Sequence, residues 1–391
     1  MKKYVLCLGT LVFAFFITQA GHSTSSPAPL LFILHNLGET NALLPVIDKL
    51  PEDSYRILAF GKALEKLKSP HAHEHLIKFH KSFEALEVNT PLSAEELIHL
   101  RRILKTPHVI VSGMASVAQA QVLNTYKPGS LKKVIYYDNF DPLWTCHGIK
   151  EYLKPFYETL RALEDYTLII PGTSYIEGAR TLEKFSASTI LPLGQPSLET
   201  LEVLYIETDH GLLRQDLGIS EDQPVILYAG GFDPQDIEQY RRDFETFVQG
   251  IGLLDNVTVL VTYHPKTDGS VERKIIQKYG FPSIRIIEKG AAPTPLLSTI
   301  ATVVCCFKST IGAQVAYMGK PVLYIADSYE NFLINAGIAG LAKTPEEVTE
   351  SIQKLLQNDN KLTKDFGESL GIPKNASEKI KETIFGMAQS Q

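Results

Sequence analysis

A chain of 391 residues is longer than one ordinary α/β domain and suits two. Its balance of 44% hydrophobic and 21% charged residues is that of a soluble globular protein, and a formal charge of −6 excludes a bulk electrostatic pull toward nucleic acid or an anionic membrane. Lys2 and Lys3 precede an apolar run from Tyr4 to Ile17, and Thr18-Gln19-Ala20 places small residues before Gly21. This pattern predicts a signal peptide over residues 1–20 and export to a periplasm, a secretory lumen or the medium. The run is short for a membrane span of about 20 residues. Membrane contact is therefore expected only through this segment, if it stays uncleaved. Cys146, Cys305 and Cys306 then remain, with the last two adjacent on one predicted strand. Core packing is the reading for that pair, not a disulfide framework.

Residues 21–29 read as a short tether. Leu30–His35 is an apolar strand, Asn41–Leu50 a helix by its apolar spacing, and Arg56–Phe60 a second strand. The stretch Glu65–Leu104 is expected to be mostly helical and carries His71, His73 and His75. Those histidines alternate, so they do not share a helix face as metal ligands would. No metal site is expected. Further strands are predicted at His108–Ser112, Val134–Tyr137, Thr167–Ile170 and Thr189–Leu193, before Gly194-Gln195-Pro196 closes the first half.

Residues 197–217 read as a linker with a lead-in helix. Strands then recur at Val225–Tyr228, Val257–Thr262, Ile284–Ile287, Thr302–Cys306 and Val322–Ile325, with helices between them. Alternating strands and helices predict parallel sheets covered on both faces. The expected domains are 30–196 and 218–375, with a last helix over 376–391 packing back on their junction.

Ser309, Thr310 and Gly312 lie where a strand gives way to a helix, and Gln314 follows. Unpaired N–H groups and hydroxyls at such a place can hold a phosphate. Helix capping alone explains one hydroxyl, not two with a Gly two residues later. Gly230-Gly231 follows the first strand of the second half and allows either a close phosphate or a sharp turn. His264-Pro265-Lys266 follows the next strand, where a His and a Lys can offset diphosphate charge. In the first half, His35, Glu39 and Asp138 each end or follow a strand and are candidate general bases. Glu39 is equally explained as an acid favoured by a helix start.

The segment Cys305–Ile325, with Ser309-Thr310, Gly312 and Gly319-Lys320-Pro321, resembles the nucleotide-binding half of GT-B glycosyltransferases and UDP-N-acetylglucosamine 2-epimerases. Gly38-Glu39 with Leu44-Pro45-Val46-Ile47 resembles the opening of the same families. His264-Pro265 with Ser309-Thr310 looks like a pairing in some bacterial sialyltransferases and glycerophosphate transferases. Where the pattern usually has Glu, this chain has Gln314, a neutral and weaker acceptor. The resemblance implies a GT-B-like α/β fold of two Rossmann-like domains facing across a cleft. It further implies metal-independent transfer from a nucleotide sugar, itself the substrate, to a carbohydrate or glycoconjugate acceptor. The nucleotide-binding set would be Gly230, Gly231, His264, Lys266, Ser309, Thr310, Gly312 and Gln314, with the base among Glu39, His35 and Asp138. Two other readings stand beside it. One is an exported binding protein that kept the fold and lost the chemistry. The other is a 2-epimerase-like enzyme, ranked lower because the loop Asn36–Thr40 has no Arg.

Overall fold

The computed structural model describes residues 29–68, 75–77, 81–104, 107–127, 129, 131–140, 147–161, 166–186, 188–231, 237–264, 267–327, 329, 331–357 and 366–390. The expected signal peptide, all but the last residue of the tether, His71, His73, Cys146 and Lys266 lie outside them.

Two six-stranded sheets carry the chain. The first comprises β1 (Leu30–Leu34), β2 (Tyr55–Ala59), β3 (Val109–Ser112), β4 (Lys132–Tyr136), β5 (Tyr166–Ile170) and β6 (Thr189–Pro192), in the order β2-β1-β3-β4-β5-β6. The second comprises β7 (Val225–Ala229), β8 (Thr258–Thr262), β9 (Ile284–Ile286), β10 (Val303–Cys306), β11 (Val322–Ile325) and β12 (Gly340–Ala342), in the order β12-β11-β10-β7-β8-β9. Every pairing is parallel.

The inner strands are continuous apolar runs because helices cover both faces; all five residues of β1 and of β7 are buried. Side chains still alternate between faces with period two. Val225, Leu227 and Ala229 join an apolar cluster shared with the first half, whereas Ile226 and Tyr228 join a separate one on the other face. Cys306 and Cys305 divide the same way, so these adjacent thiols are buried on opposite faces of the sheet. Edge strand β6 is only partly covered, and its Pro192 suits a position where few donors are needed.

Three expectations change. Among the described residues of 65–104, α-helix is interrupted: Leu76 pairs with Ile57 beside β2, Lys81–Ala85 is a short 3-10 helix, and α-helix resumes at Ala94–Ile103. The first helix begins at Leu37, earlier than its apolar spacing suggests, because Asn36 and Glu39 form a reciprocal capping box. Strand β12 is three residues long and begins with Gly340, too short and too small to carry a periodic signal.

The last part of the chain returns to the first half. The helix Ala376–Gln389 contacts β3, β4 and the helices Leu37–Ile47 and Pro196–Glu207. His108 Nδ1 lies 3.1 Å from the Ala388 carbonyl, and Ser377 N–H donates to Glu199 Oε1 at 2.9 Å. Just before that helix, the Thr173 N–H donates to the Gly371 carbonyl at 3.3 Å and the Ser174 hydroxyl to Leu370 at 3.0 Å. This approach requires Gly172, since a Cβ there would lie 2.2 Å from the Leu370 carbonyl oxygen. Gly172→Ala is expected to cost about 1–3 kcal/mol through overpacking. The checks are a lower denaturation midpoint and faster proteolysis within 366–390; an unchanged midpoint would deny this contact its structural weight.

Candidate functional site

In open parallel sheets, ligands sit beyond the carboxyl ends of the strands where the strand order reverses. The first sheet reverses between β1 and β3, the second between β7 and β10. His35–Glu39 and Gly113 therefore flank one crevice, and Gly230-Gly231 and Phe307–Thr310 the other.

Glu39 is fully buried at the first of these points. Its Oε1 accepts N–H bonds from the His35 and Asn36 backbone, the latter at 3.2 Å, and from Gln119 Nε2 at 2.8 Å. Its Oε2 is buried without a partner. Burial pushes the Glu39 carboxyl up to about 8, the charge of Asp138 adds to this, and the donors on Oε1 offset only part. Glycines make the packing possible. A Cβ on Gly113 would fall 1.6 Å from Glu39 Oε2, and one on Gly38 would fall 2.5 Å from Asp138 Oδ2.

Asp138 follows β4 and is half-buried, beside exposed Gly38. The protein packed around its carboxyl raises it to about 6. Gln195 fixes the local backbone by donating to the Asp138 carbonyl while accepting from the Tyr136 hydroxyl. The pair thus divides into an acid that is neutral at neutral pH and a neighbour that is mostly ionised there. His35 differs from both. Its side chain packs near Phe60 and Gly61, and desolvation lowers it to about 4, with the Leu86 and Glu87 backbone offsetting only part. No hydrogen bond of ordinary geometry reaches either ring nitrogen. The imidazole is neutral and a weak base.

Beside the turn that follows Asp138 lies a cavity of about 150 Å³, lined by residues of both halves. Asn139 and Phe140 form one wall; Lys308, Ser309, Thr310 and Ala313 form another; Tyr324, Tyr329 and Asn331–Leu333 complete it. Among the described residues, this lining holds hydroxyls, amides and one ammonium group, and no carboxylate. Thr310 precedes the helix Ile311–Tyr317 but makes no side-chain cap bond, so capping does not account for its hydroxyl. Asn331 commits Oδ1 to the Ile334 N–H at 3.0 Å, which leaves its NH₂ as the group it can offer the cavity.

The structure thus brings Ser309 and Thr310 opposite the turn after Asp138. It does not bring every candidate to that cavity. Gly312 makes room for the Tyr324 hydroxyl, which a Cβ would meet at 2.3 Å. Gly230 donates its N–H to the Thr262 carbonyl at 2.9 Å, and Gly231 packs against Phe307. These three glycines are accounted for by close packing. Half-buried Gln314 does not line the cavity, nor does His264, whose carbonyl closes a turn by accepting from the Thr267 N–H and hydroxyl at 2.9 and 3.0 Å. Gln119, Gly113, Gln195 and Lys308 belong to the site and were not singled out from sequence for it. Gln195 lies within the Gly-Gln-Pro motif, and Ser116-x-x-Gln119 has capping-box spacing, which were the available signals.

Among the described residues, no group of three or more His, Cys, Asp and Glu could hold a metal ion, and no helix is long and apolar enough to cross a membrane.

No protein-family model matches the sequence, and a search of curated proteins found no match. Solved structures do match. A putative UDP-N-acetylglucosamine 2-epimerase from Listeria monocytogenes aligns with a TM-score of 0.66 and 14% identity, over 94% of this chain and 98% of that one. The UDP-GlcNAc 2-epimerase of Neisseria meningitidis, bound to UDP-GlcNAc, gives 0.63 and 16%, over 91% and 99%. The wall teichoic acid polymerase TagF gives 0.60 and 14%, over 95% and 91%. The chain has the fold of the GT-B and 2-epimerase superfamily, two Rossmann-like domains with parallel sheets.

The Glu39 carboxyl makes a signed pH prediction. Its folded value near 8 stands above the ordinary 4.5, so its contribution to stability is complete below about 4.5 and lost as pH rises to about 8. Glu39→Gln removes that loss. The variant should gain on wild type by a few kcal/mol between those limits, in denaturant titrations across pH, and the gain should level above about 8. A pH-independent difference would contradict an uncharged Glu39.

Proposed function

We propose that the protein acts on a nucleotide sugar held between the two sheets, breaking the bond from the anomeric carbon to the diphosphate. The observation that carries this is the placement of the Asp138–Glu39 carboxyl pair at one crevice, with Lys308, Ser309 and Thr310 lining a cavity at the other that holds no carboxylate among the described residues. Asp138 serves as the general base. As an acceptor hydroxyl attacks the anomeric carbon, its proton passes to the Asp138 carboxylate. The C–O bond breaks and the diphosphate leaves with the electron pair. Lys308 and the two hydroxyls offset its charge. Glu39, neutral behind Asp138, adds no second negative charge.

Enclosed ligand pockets usually measure about 300–1,000 Å³. A 150 Å³ cavity therefore takes the diphosphate end, and a whole nucleotide sugar requires the halves to part. The acceptor is proposed as a carbohydrate or glycoconjugate hydroxyl, outside the cytoplasm if residues 1–20 direct export.

A second reading, 2-epimerase-like, is supported by the shape of the whole chain, because most of its structural neighbours named above are described as such enzymes, one of them bound to UDP-GlcNAc. Inversion at C2 needs removal of the C2 proton, and Asp138 would then act on carbon. One experiment separates the readings: incubation of UDP-, CMP- and GDP-sugars in D₂O with and without a glycan acceptor. Nucleotide release that depends on acceptor supports transfer, and deuterium at C2 supports epimerisation. Thermal stabilisation by nucleotide without either product supports binding alone.

For a productive enzyme, kcat/KM should rise with pH through about 6 as Asp138 ionises. Asp138→Asn should lower kcat by roughly 10²–10⁴-fold. A retained acid limb in that variant would assign the base elsewhere. Ser309→Ala and Lys308→Ala should raise KM for the nucleotide sugar by roughly 10-fold each, the size of one charge-assisted hydrogen bond. An unchanged KM in both would move the phosphate out of this cavity.

A further inference from the structure

Gln119 lies on the helix Val117–Asn124 and is fully buried. Its Oε1 accepts from the backbone N–H groups of Ala115 and Ser116 at 3.0 and 2.9 Å, and from the Ser116 hydroxyl at 3.2 Å. Backbone N–H groups cannot exchange roles, so they settle which end of the amide is the oxygen. The NH₂ end is thereby turned to the Ile33 carbonyl at 3.1 Å and to Glu39 Oε1 at 2.8 Å. With the His35 and Asn36 N–H groups, three donors converge on that one oxygen. An oxygen so occupied cannot also carry a hydrogen, because the O–H would point at another donor. The remaining oxygen, Oε2, rests against Gly113 and accepts nothing.

We infer that Gln119 is a positioning residue for the carboxyl pair: it holds Glu39 by Oε1 so that the exchangeable proton of that acid is carried on Oε2. Asp138, at the end of β4, is the charged group that acts on Glu39, and the neighbouring His35 imidazole is neutral. Gln119 itself has no charge to change. It favours ionisation of Glu39 by donating to it, against burial and Asp138, which oppose ionisation. The inference deepens the proposed reaction by fixing where the proton behind the general base is stored. The geometry holds for the resting chain whether or not a sugar is processed.

The test is a carboxyl titration of the full chain labelled with carbon-13 at Glu side chains, with the Glu39 signal assigned by its loss in Glu39→Gln. In Gln119→Met, of similar length but without the amide, the Glu39 midpoint should move up by about 0.5–1 pH unit, the worth of one neutral hydrogen bond. A midpoint that stays or falls would overturn the inference. If Gln119→Met does not fold, the wild-type chain supplies the measurement. The side-chain NH₂ signals of Gln119 should shift with the same midpoint as the Glu39 carboxyl. NH₂ signals that ignore that titration would overturn the inference equally. The two proposals fail separately. Absence of turnover with every nucleotide sugar would remove the reaction and leave the titration result standing. An unmoved titration in an active enzyme would remove the role of Gln119 alone.

Discussion

The return of the chain from Phe366 to Gln389 fixes how the two crevices face each other. The short helix Phe366–Leu370 touches both the Thr173–Tyr175 turn of the first half and the helix Ile311–Tyr317 of the second. Phe366 stacks on Phe332, a cavity residue, at 5.8 Å between ring centroids. Farther on, Lys49, Glu199, Ser377 and Glu378 form a polar cluster that ties the last helix to two helices of the first half. The Lys49 contacts to carboxylates are long, 3.9 Å, and partly exposed, so they add little energy. The apolar face of that helix, with Ile380, Ile384 and Ala388 buried, provides the attachment. Such a tie holds the two crevices at a fixed spacing, which the proposed reaction between them would require.

Within that frame the first crevice carries an electrostatic cost. A fully buried carboxyl with one bare oxygen is unfavourable when charged, and the fold meets this by leaving Glu39 neutral and satisfying its other oxygen three times over. The same carboxyl completes a helix cap, so local structure and the acid pair share a residue. Gly38 and Gly113 supply the space. The arrangement has no slack: replacing either hydrogen by a methyl group places carbon within 2.5 Å of a carboxyl oxygen.

Eleven of the twelve described strands were legible because each is a short β-branched or apolar run; β12, Gly340–Ala342, is not. Their positions shifted by only a residue or two, since pairing, not propensity, sets where a strand stops. The crevices were legible to the same depth: strand ends can be read from the chain, and His35, Glu39, Asp138, Ser309 and Thr310 all lie at them. What sequence could not supply was direction and partner. His35 and Glu39 stand four residues apart after one strand, yet the ring enters apolar packing and the carboxyl comes within electrostatic reach of Asp138. Gln119 reaches Glu39 across 80 residues and Gln195 reaches Asp138 across 57, contacts that no local pattern encodes. Two glycines have a packing role that the chain pattern does not show. Gly230 and Gly312 sit where a phosphate loop would need them, but the Thr262 carbonyl and the Tyr324 hydroxyl already occupy the space beside them.

Gln314 acquires a different meaning from the position of Lys308. Gln314 does not line the cavity wall, and the chain has no carboxylate on the helix Ile311–Tyr317. It has instead a lysine in that wall with φ of 33°, a left-handed backbone that costs a non-glycine residue on the order of 1–2 kcal/mol. The conformation is held by its neighbours. Phe307 is pinned under Gly231, and the Lys308 ammonium lies 5.2 Å from the Phe307 ring centroid. The ammonium and hydroxyls of this wall favour an anionic ligand end. The polarity across the cleft follows, with carboxyls at the first strand reversal and an ammonium with hydroxyls at the second. On the proposed reaction, the diphosphate belongs on the second side and the hydroxyl or carbon that loses a proton on the first.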